Sequence, residues 1–272
     1  NKKKDIKSIC VGNIYLGGTG KTPLSIKIFQ ILNKLNLKTA FIKKFYKTQI
    51  DEQKLLTNKA KLYCQKSRNE AFNKALEDGI EVAVFDDGLQ DNSINYDLKF
   101  VCFNNIKWIG NGFLIPAGPL REKIESICKY DAIFLNGNEE NNDDLKKKIK
   151  RYNPNIKIFE TYYAPNNLNK FDKNEKFLVF SGIGNPDCFK KTLIKNKLSI
   201  IEELKFPDHH LYTSNDINRI KLHAKKLNAK ILTTEKDYIK IDQSYLDGID
   251  FLGIDLIVKN EDELINFIKL KI

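Results

Sequence analysis

The feature that most restricts this chain is the run Val11-Gly12-Asn13-Ile14-Tyr15-Leu16-Gly17-Gly18-Thr19-Gly20-Lys21-Thr22-Pro23, which follows an apolar run of strand length, Ile6 to Val11. Beyond it Leu24, Ile28, Ile31, Leu32 and Leu35 recur at helical spacing, with Pro23 in the first turn, where its missing N–H is not needed. A strand that turns through glycines into a helix N-terminus belongs to α/β architecture, and it aims backbone N–H groups and the helix dipole at a polyphosphate. On this reading Gly17, Gly18, Thr19, Gly20, Lys21 and Thr22 bind the phosphates of a nucleotide. Lys21 neutralises the β and γ phosphates, and the Thr22 hydroxyl ligates Mg²⁺. The match to GxxxxGK[ST] is incomplete, because its first glycine falls on Tyr15; a glycine-rich turn that binds no nucleotide is the alternative.

Further apolar runs, Thr39 to Phe45, Val82 to Phe85, Leu98 to Phe103 and Ala132 to Leu135, alternate with helical segments. That alternation predicts βαβ units and a mostly parallel sheet flanked by helices, as in P-loop NTPases. After the polar stretch Asn136 to Lys150, Ile156 to Tyr163 and Phe177 to Phe180 read as strands on either side of a Pro165-Asn166-Asn167 loop signal. Strand-like Lys230 to Leu232 and Phe251 to Val258 surround a helical pattern over Asp216 to Leu227. With 272 residues set against roughly 150 per domain, the expected division is a P-loop core domain over 1–155 and a smaller α/β domain over 156–272.

A P-loop NTPase also needs an acidic group at the end of a neighbouring strand, and Val82 to Asp87 ends in two, Asp86 and Asp87. Adjacent carboxylates repel unless a cation or hydrogen-bond donors compensate them, so both are metal-ligand candidates with Thr22. The 46 Lys+Arg against 35 Asp+Glu give a net charge of +11, and only Arg68, Arg121, Arg151 and Arg219 are arginines. Such a surface favours phosphate-rich partners, nucleic acid or an anionic membrane face, unless it merely fills solvated faces with lysine. No uncharged apolar run approaches the roughly 18 residues of a spanning helix. The five cysteines are scattered, without a CxxC pair, which fits a reducing cytosol rather than a disulfide framework or zinc cluster. The chain contains no Met, not even at position 1, so it reads as having lost its natural N-terminus.

With these motifs in order, the chain resembles the tetraacyldisaccharide 4'-kinases, or lipid A 4'-kinases. The resemblance rests on Val11-Gly12-Asn13 with GGTGKTP, Asp86-Asp87-Gly88-Leu89-Gln90, Gly110-Asn111-Gly112 with LIPAGPLRE over Leu114 to Glu122, Gly182 to Pro186, and Phe206-Pro207-Asp208-His209 followed by Thr233 to Asp237. It implies transfer of the ATP γ-phosphate to the 4'-hydroxyl of a tetraacylated glucosamine disaccharide 1-phosphate, a lipid A precursor. The implied place is the cytoplasmic face of the bacterial inner membrane, on which a monomer sits peripherally, without nucleic acid. The family's base dyad falls on Asp51 and His209, with Glu52 beside the first and Asp208 beside the second. Phosphoryl transfer needs positioning and charge neutralisation, and an alcohol acceptor needs a base as well. Arg121 and Glu122 fall on the family's PLRE residues and Gln90 on its DDGLQ motif. Arg121 either holds phosphate oxygens or forms a structural salt bridge.

The departures are as specific as the matches. Asp91 follows DDGLQ where the family has His, Lys43-Lys44-Phe45-Tyr46-Lys47 replaces SRGYG, and Ile50-Asp51-Glu52-Gln53 replaces GDEP. The family usually begins with an apolar N-terminal helix that this sequence does not include: either the chain was cut, or basic surface charge alone holds an anionic leaflet. Trp108, Phe113, Leu114 and Ile115 read as a buried strand and turn, with acyl-chain contact as the alternative. The acceptor is expected in a cleft between domains whose closure brings His209 to Asp51. A competing reading, a P-loop regulatory NTPase or metallochaperone-type GTPase acting on a protein partner, explains GGTGKT and the Asp pair but not LIPAGPLRE or Asp208-His209. A nucleic-acid-binding protein has only the charge in its favour.

Overall fold

The computed structural model describes residues 6–137 and 141–272, and of the polar stretch Asn136 to Lys150, residues 138–140 lie outside them. In chain order the elements are β1 (Lys7–Gly12), α1 (Lys21–Lys34), β2 (Thr39–Lys44), α2 (Ile50–Lys59), β3 (Leu62–Gln65), α3 (Arg68–Glu77), β4 (Val82–Asp86), β5 (Leu98–Asn104), β6 (Ala132–Gly137), α4 (Asp143–Tyr152), β7 (Lys157–Pro165), β8 (Lys176–Ser181), α5 (Pro186–Lys195), β9 (Ser199–Lys205), α6 (Ser214–Lys226), β10 (Lys230–Thr234), α7 (Glu235–Tyr238), β11 (Ile249–Leu252), β12 (Ile254–Val258) and α8 (Glu261–Lys269).

An eight-stranded sheet runs β12-β7-β6-β5-β1-β4-β2-β3, and a four-stranded sheet β11-β10-β8-β9. From β3 to β7 every pair in the first is parallel, as is every pair in the second. Strands covered on both faces read as unbroken apolar runs, as the buried cores of β1, β4 and β5 do. β1 lies centrally, between β4 and β5, so the turn that follows it leaves the carboxyl edge of the parallel sheet, where α/β proteins place their ligands.

The chain forms two compact units. One comprises the described residues up to Tyr46, Leu56–Tyr162 and Leu256–Ile272; the other comprises Lys47–Leu55 and Tyr163–Asp255. Both are therefore discontinuous, whereas the sequence suggested one cut after residue 155. A single apolar strand expected over Phe251 to Val258 is instead two, β11 in the small sheet and β12 in the large one. Gly253 marks the change: its N–H donates to Asn167 Oδ1 at 2.9 Å, and a Cβ there would stand 2.3 Å from Asn166 Oδ1. Strands β3 and β9 escaped the sequence reading because both lie at sheet edges and are only partly buried, so neither carries a clean apolar run. Among the described residues no helix is long and apolar enough to cross a membrane.

Candidate active site

The phosphate loop is held open by its neighbours. Asn13 Nδ2 donates to the carbonyls of Tyr15 at 2.5 Å and Gly17 at 3.3 Å and to Thr19 Oγ1 at 2.9 Å. The segment after the cis Ile115-Pro116 bond supports it from outside, where Leu16 N–H donates to Pro119 O and Arg121 N–H to Ile14 O. Positive φ falls at Gly17 (114°) and Gly20 (87°), positions that glycine adopts without strain. Tyr15 is not among the positive-φ residues and instead bridges to Leu120, which explains why the motif's first glycine is dispensable here. Helix α1 begins at Lys21 with no side-chain cap and no acid in its first turn. By contrast, α6 is closed by a Thr213–Asp216 capping box.

The two aspartates at the end of β4 point to different partners. Asp86 is fully buried, accepting Ser25 Oγ at 2.9 Å on one oxygen and Thr22 Oγ1 at 3.1 Å and Lys43 Nζ at 2.6 Å on the other. Burial pushes its carboxyl up, but Lys43, Lys21 and Ser25 together hold it below the usual carboxylate range. Asp87 adopts φ 61° and meets Arg121 Nη1 at 3.1 Å and Lys21 Nζ at 4.0 Å. The repulsion expected between neighbouring carboxylates is thus relieved by three protein cations. Of the expected metal set, Asp86 is fully buried and accepts the Thr22 hydroxyl, while the Asp87 carboxylate faces Lys21 and Arg121.

Gln90 Nε2 donates to Asn13 O at 2.9 Å and to Glu122 Oε1 at 2.8 Å, and its Oε1 accepts from Arg121 at 3.3 Å. Tyr130 OH donates to Glu122 Oε2 at 3.0 Å. Asp87, Gln90, Arg121 and Glu122 therefore form one network beside Lys21, with Arg121 in the salt bridge that the sequence left open.

In the second unit, His209 Nδ1 lies 3.0 and 3.1 Å from the two oxygens of Asp51. Both residues belong to this unit, so the pair needs no domain closure, contrary to the expectation from sequence. Lys236 Nζ approaches Asp51 at 3.3 Å, Asp208 at 3.5 Å and Glu52 at 3.9 Å. Burial pushes the Asp51 carboxyl up, yet the His209 hydrogen bond and the Lys236 charge hold it far below the usual range. An ionised carboxylate only accepts, so His209 Nδ1 is the donor to Asp51, and in the neutral imidazole this tautomer leaves the Nε2 lone pair as the basic site. His209 sits at φ 60°, its N–H within reach of Gly182 O (3.2 Å) and Asp208 Oδ1 (3.0 Å). Gly182 is in turn fixed by buried Asp237 at 3.0 Å.

The chain matches, over residues 1–272, a family described as Tetraacyldisaccharide-1-P 4'-kinase. The chain belongs to that family. Named Tetraacyldisaccharide 4'-kinases resemble it: one from Pelagibacter ubique is 52% identical, covering 96% of this chain and 83% of that one, and one from Rickettsia bellii is 33% identical, covering 95% and 84%. The crystal structure of LpxK from Aquifex aeolicus in complex with ATP shares the fold, with TM-score 0.71 and 21% identity over 97% of this chain and 88% of that one. As a member of the 4'-kinase family this chain is an enzyme, a phosphotransferase, and the regulatory-NTPase alternative is not favoured.

Within the kinase frame, several site neighbours went unread in the sequence. Lys43 stands in the stretch that replaces SRGYG, yet as one lysine among many it gave no sign that it is 1% exposed and bound to Asp86. Ser25 lies one turn beyond the motif, and Lys236 lies inside TTEKD without an obvious function. Asp91, the departure from the family's His, pairs with Arg68 Nη1 at 3.0 Å. Lys44, at the family's arginine position, stacks over Tyr46 at 5.7 Å. The buried strand expected around Trp108 is not observed: Phe113, Leu114 and Ile115 are 62, 38 and 50% exposed on a loop that passes two positive-φ glycines, Gly110 and Gly112.

Proposed function

We propose that this kinase transfers the γ-phosphate of ATP to the 4'-hydroxyl of a tetraacylated glucosamine disaccharide 1-phosphate, the lipid A precursor its family name describes. The observation that carries the mechanism is the 3.0 Å contact between His209 and Asp51, since an alcohol acceptor requires a base and an imidazole oriented by a carboxylate supplies one. The loop amides from Gly17 to Thr22 cradle the phosphates, and Lys21 and Arg121 neutralise their charge. The acceptor oxygen attacks phosphorus as the bond to the ADP oxygen breaks, and its proton passes to His209 Nε2. Asp51 orients the ring and stabilises the imidazolium.

The residues fit Mg²⁺. Thr22 Oγ1 gives its proton to Asp86 and so turns oxygen lone pairs outward, and the Asp87 carboxylate is the second hard donor. When bound, the ion offsets charge on the phosphate oxygens. Attachment to the cytoplasmic face of the inner membrane is supported by the +11 charge at about 1 kcal/mol per lysine near an anionic leaflet, and by exposed Leu16, Ile106, Phe113 and Ile115. Incubation with γ-labelled ATP, Mg²⁺ and the disaccharide 1-phosphate in detergent micelles should move label into the lipid. Steady ATP hydrolysis with no labelled lipid would reject the proposal.

A further inference from the structure

The turn that presents Asp87 to the phosphate loop is anchored from behind by a pair of residues to which the resemblance assigns no role. Asp87 is a non-glycine residue at φ 61°, a backbone region that L-residues other than Asn and Asp rarely enter and that holds only where the surroundings fix it. Its N–H is fixed by Val11 O at 2.8 Å. Its carbonyl accepts from Arg68 Nη2, a very short contact. The next residue, Gly88, has no Cβ and offers little resistance to rotation of the Asp87–Gly88 peptide. Glycine is required there all the same, because a Cβ would meet Tyr96 Oη at 2.7 Å and Cys10 Sγ at 3.0 Å. Gly88 O is itself held by Asp91 N–H at 3.0 Å and Tyr96 OH at 3.1 Å.

Arg68 does not serve its own helix. It is the first residue of α3, where a positive charge opposes the helix dipole. It is 7% exposed, and a guanidinium so buried needs a counter-charge. Asp91 supplies it at 3.0 Å, its other oxygen taken by Ser93 N–H at 3.1 Å and Ser93 Oγ at 2.5 Å. The fork geometry matters: one terminal nitrogen reaches the Asp87 carbonyl while the other reaches Asp91, a division that the single ammonium of lysine reproduces poorly.

We propose that Arg68 is a positioning residue that locks Asp87 in its left-handed conformation and so aims its carboxylate at Lys21 and Arg121, with Asp91 as the counter-charge that makes the buried guanidinium tolerable. Asp91 is then the chain's replacement for the family's His rather than a loss at the edge of the site. The inference rests on the kinase reading for the importance of Asp87, but its structural content is independent of it.

The test combines crystal structures of the wild type and R68Q with ATP affinity measured by calorimetry, without lipid, for wild type, R68Q, D87N and R68Q/D87N. The proposal expects the Asp87 carbonyl of R68Q to turn away from position 68 and φ to leave its positive value. It also expects R68Q to change ATP affinity at least about threefold in the wild-type background and less than about twofold once Asp87 is already Asn, the non-additivity of coupled groups. R68K should recover part of the effect, and D91N, which keeps an acceptor oxygen but loses the charge, should lie between R68Q and wild type. An unchanged Asp87 backbone in R68Q, or equal effects in the two backgrounds, overturns the proposal. Should R68Q not fold, the same readings on D91N decide it, with wild-type backbone and affinity counting against the clamp. Failure of lipid phosphorylation by a wild type that shows the clamp would count against the kinase reading alone.

Discussion

Replacing Lys43 by Met removes the cation that faces a carboxylate with no access to water. The Lys43–Asp86 distance is 2.6 Å, with the two side chains 1% and 0% exposed. At an effective dielectric near 20 the gross attraction is roughly 6 kcal/mol, most of it offset by desolvation of both ions. What K43M loses is the compensation for a charge that stays buried, about 3–5 kcal/mol when one partner of such a pair is removed. Ser25 and Thr22 continue to donate to Asp86, which places the loss near 3 kcal/mol, or about a hundredfold in the unfolding equilibrium constant. The chain's single tryptophan is the probe: Trp108 belongs to the same unit and stacks on Phe103 at 4.5 Å. Urea unfolding followed by its fluorescence at pH 7 should show the loss in K43M. The double variant K43M/D86N should return to within about 1 kcal/mol of wild type, because a neutral pair carries no uncompensated charge. A K43M midpoint indistinguishable from wild type, or a double variant as unstable as the single, would refute the reasoning.

Other outcomes follow from the same geometry. H209Q and D51N should each lower lipid phosphorylation by about 10²- to 10⁴-fold, the range for a lost general base, with ATP affinity within about twofold by calorimetry; a pure binding defect would remove these residues from the chemistry. K21A should do the reverse, weakening ATP binding at least about tenfold through the lost phosphate contact, measured in the same titration. Because the Asp51 carboxyl is held below its ordinary value of 3.8, it contributes stability that is present above about pH 4 and is lost as pH falls through the folded value. D51N should therefore flatten the acid limb of the stability curve below pH 4 and converge on wild type there, as read by urea midpoints across pH 2 to 7.

The phosphate loop was legible because its signal is local: strand, glycines, Lys21-Thr22 and helix are consecutive, and the chemistry needs them consecutive. Asp86 and Asp87 were legible as a pair but not in their division of labour, which depends on Lys43 reaching across from β2 and on Arg121 from a loop more than thirty residues away. The resemblance set Asp51 beside His209 and the two side chains do meet, yet the unit that holds them was not foreseen, since Lys47–Leu55 packs with the later segment instead of its chain neighbours. No periodicity in nine residues announces such an excursion. Edge strands β3 and β9 were missed for a related reason: half-exposed strands have no continuous apolar face to read. The exposed Phe113 to Ile115 loop is the converse, apolar residues whose pattern mimics a core strand while Gly110 and Gly112, at positive φ, turn the chain just ahead of them.

The central claim, phosphoryl transfer from ATP to a lipid hydroxyl, is tested most directly by the chemistry of the product. Phosphorus NMR and tandem mass spectrometry of the disaccharide 1-phosphate after incubation with the enzyme, ATP and Mg²⁺ should show one added phosphate at the 4' position and one ADP formed per phosphate gained, with the H209Q product below a hundredth of wild type. ADP accumulating with no gain of phosphate in the lipid, or phosphate gained at any other position, would contradict the account.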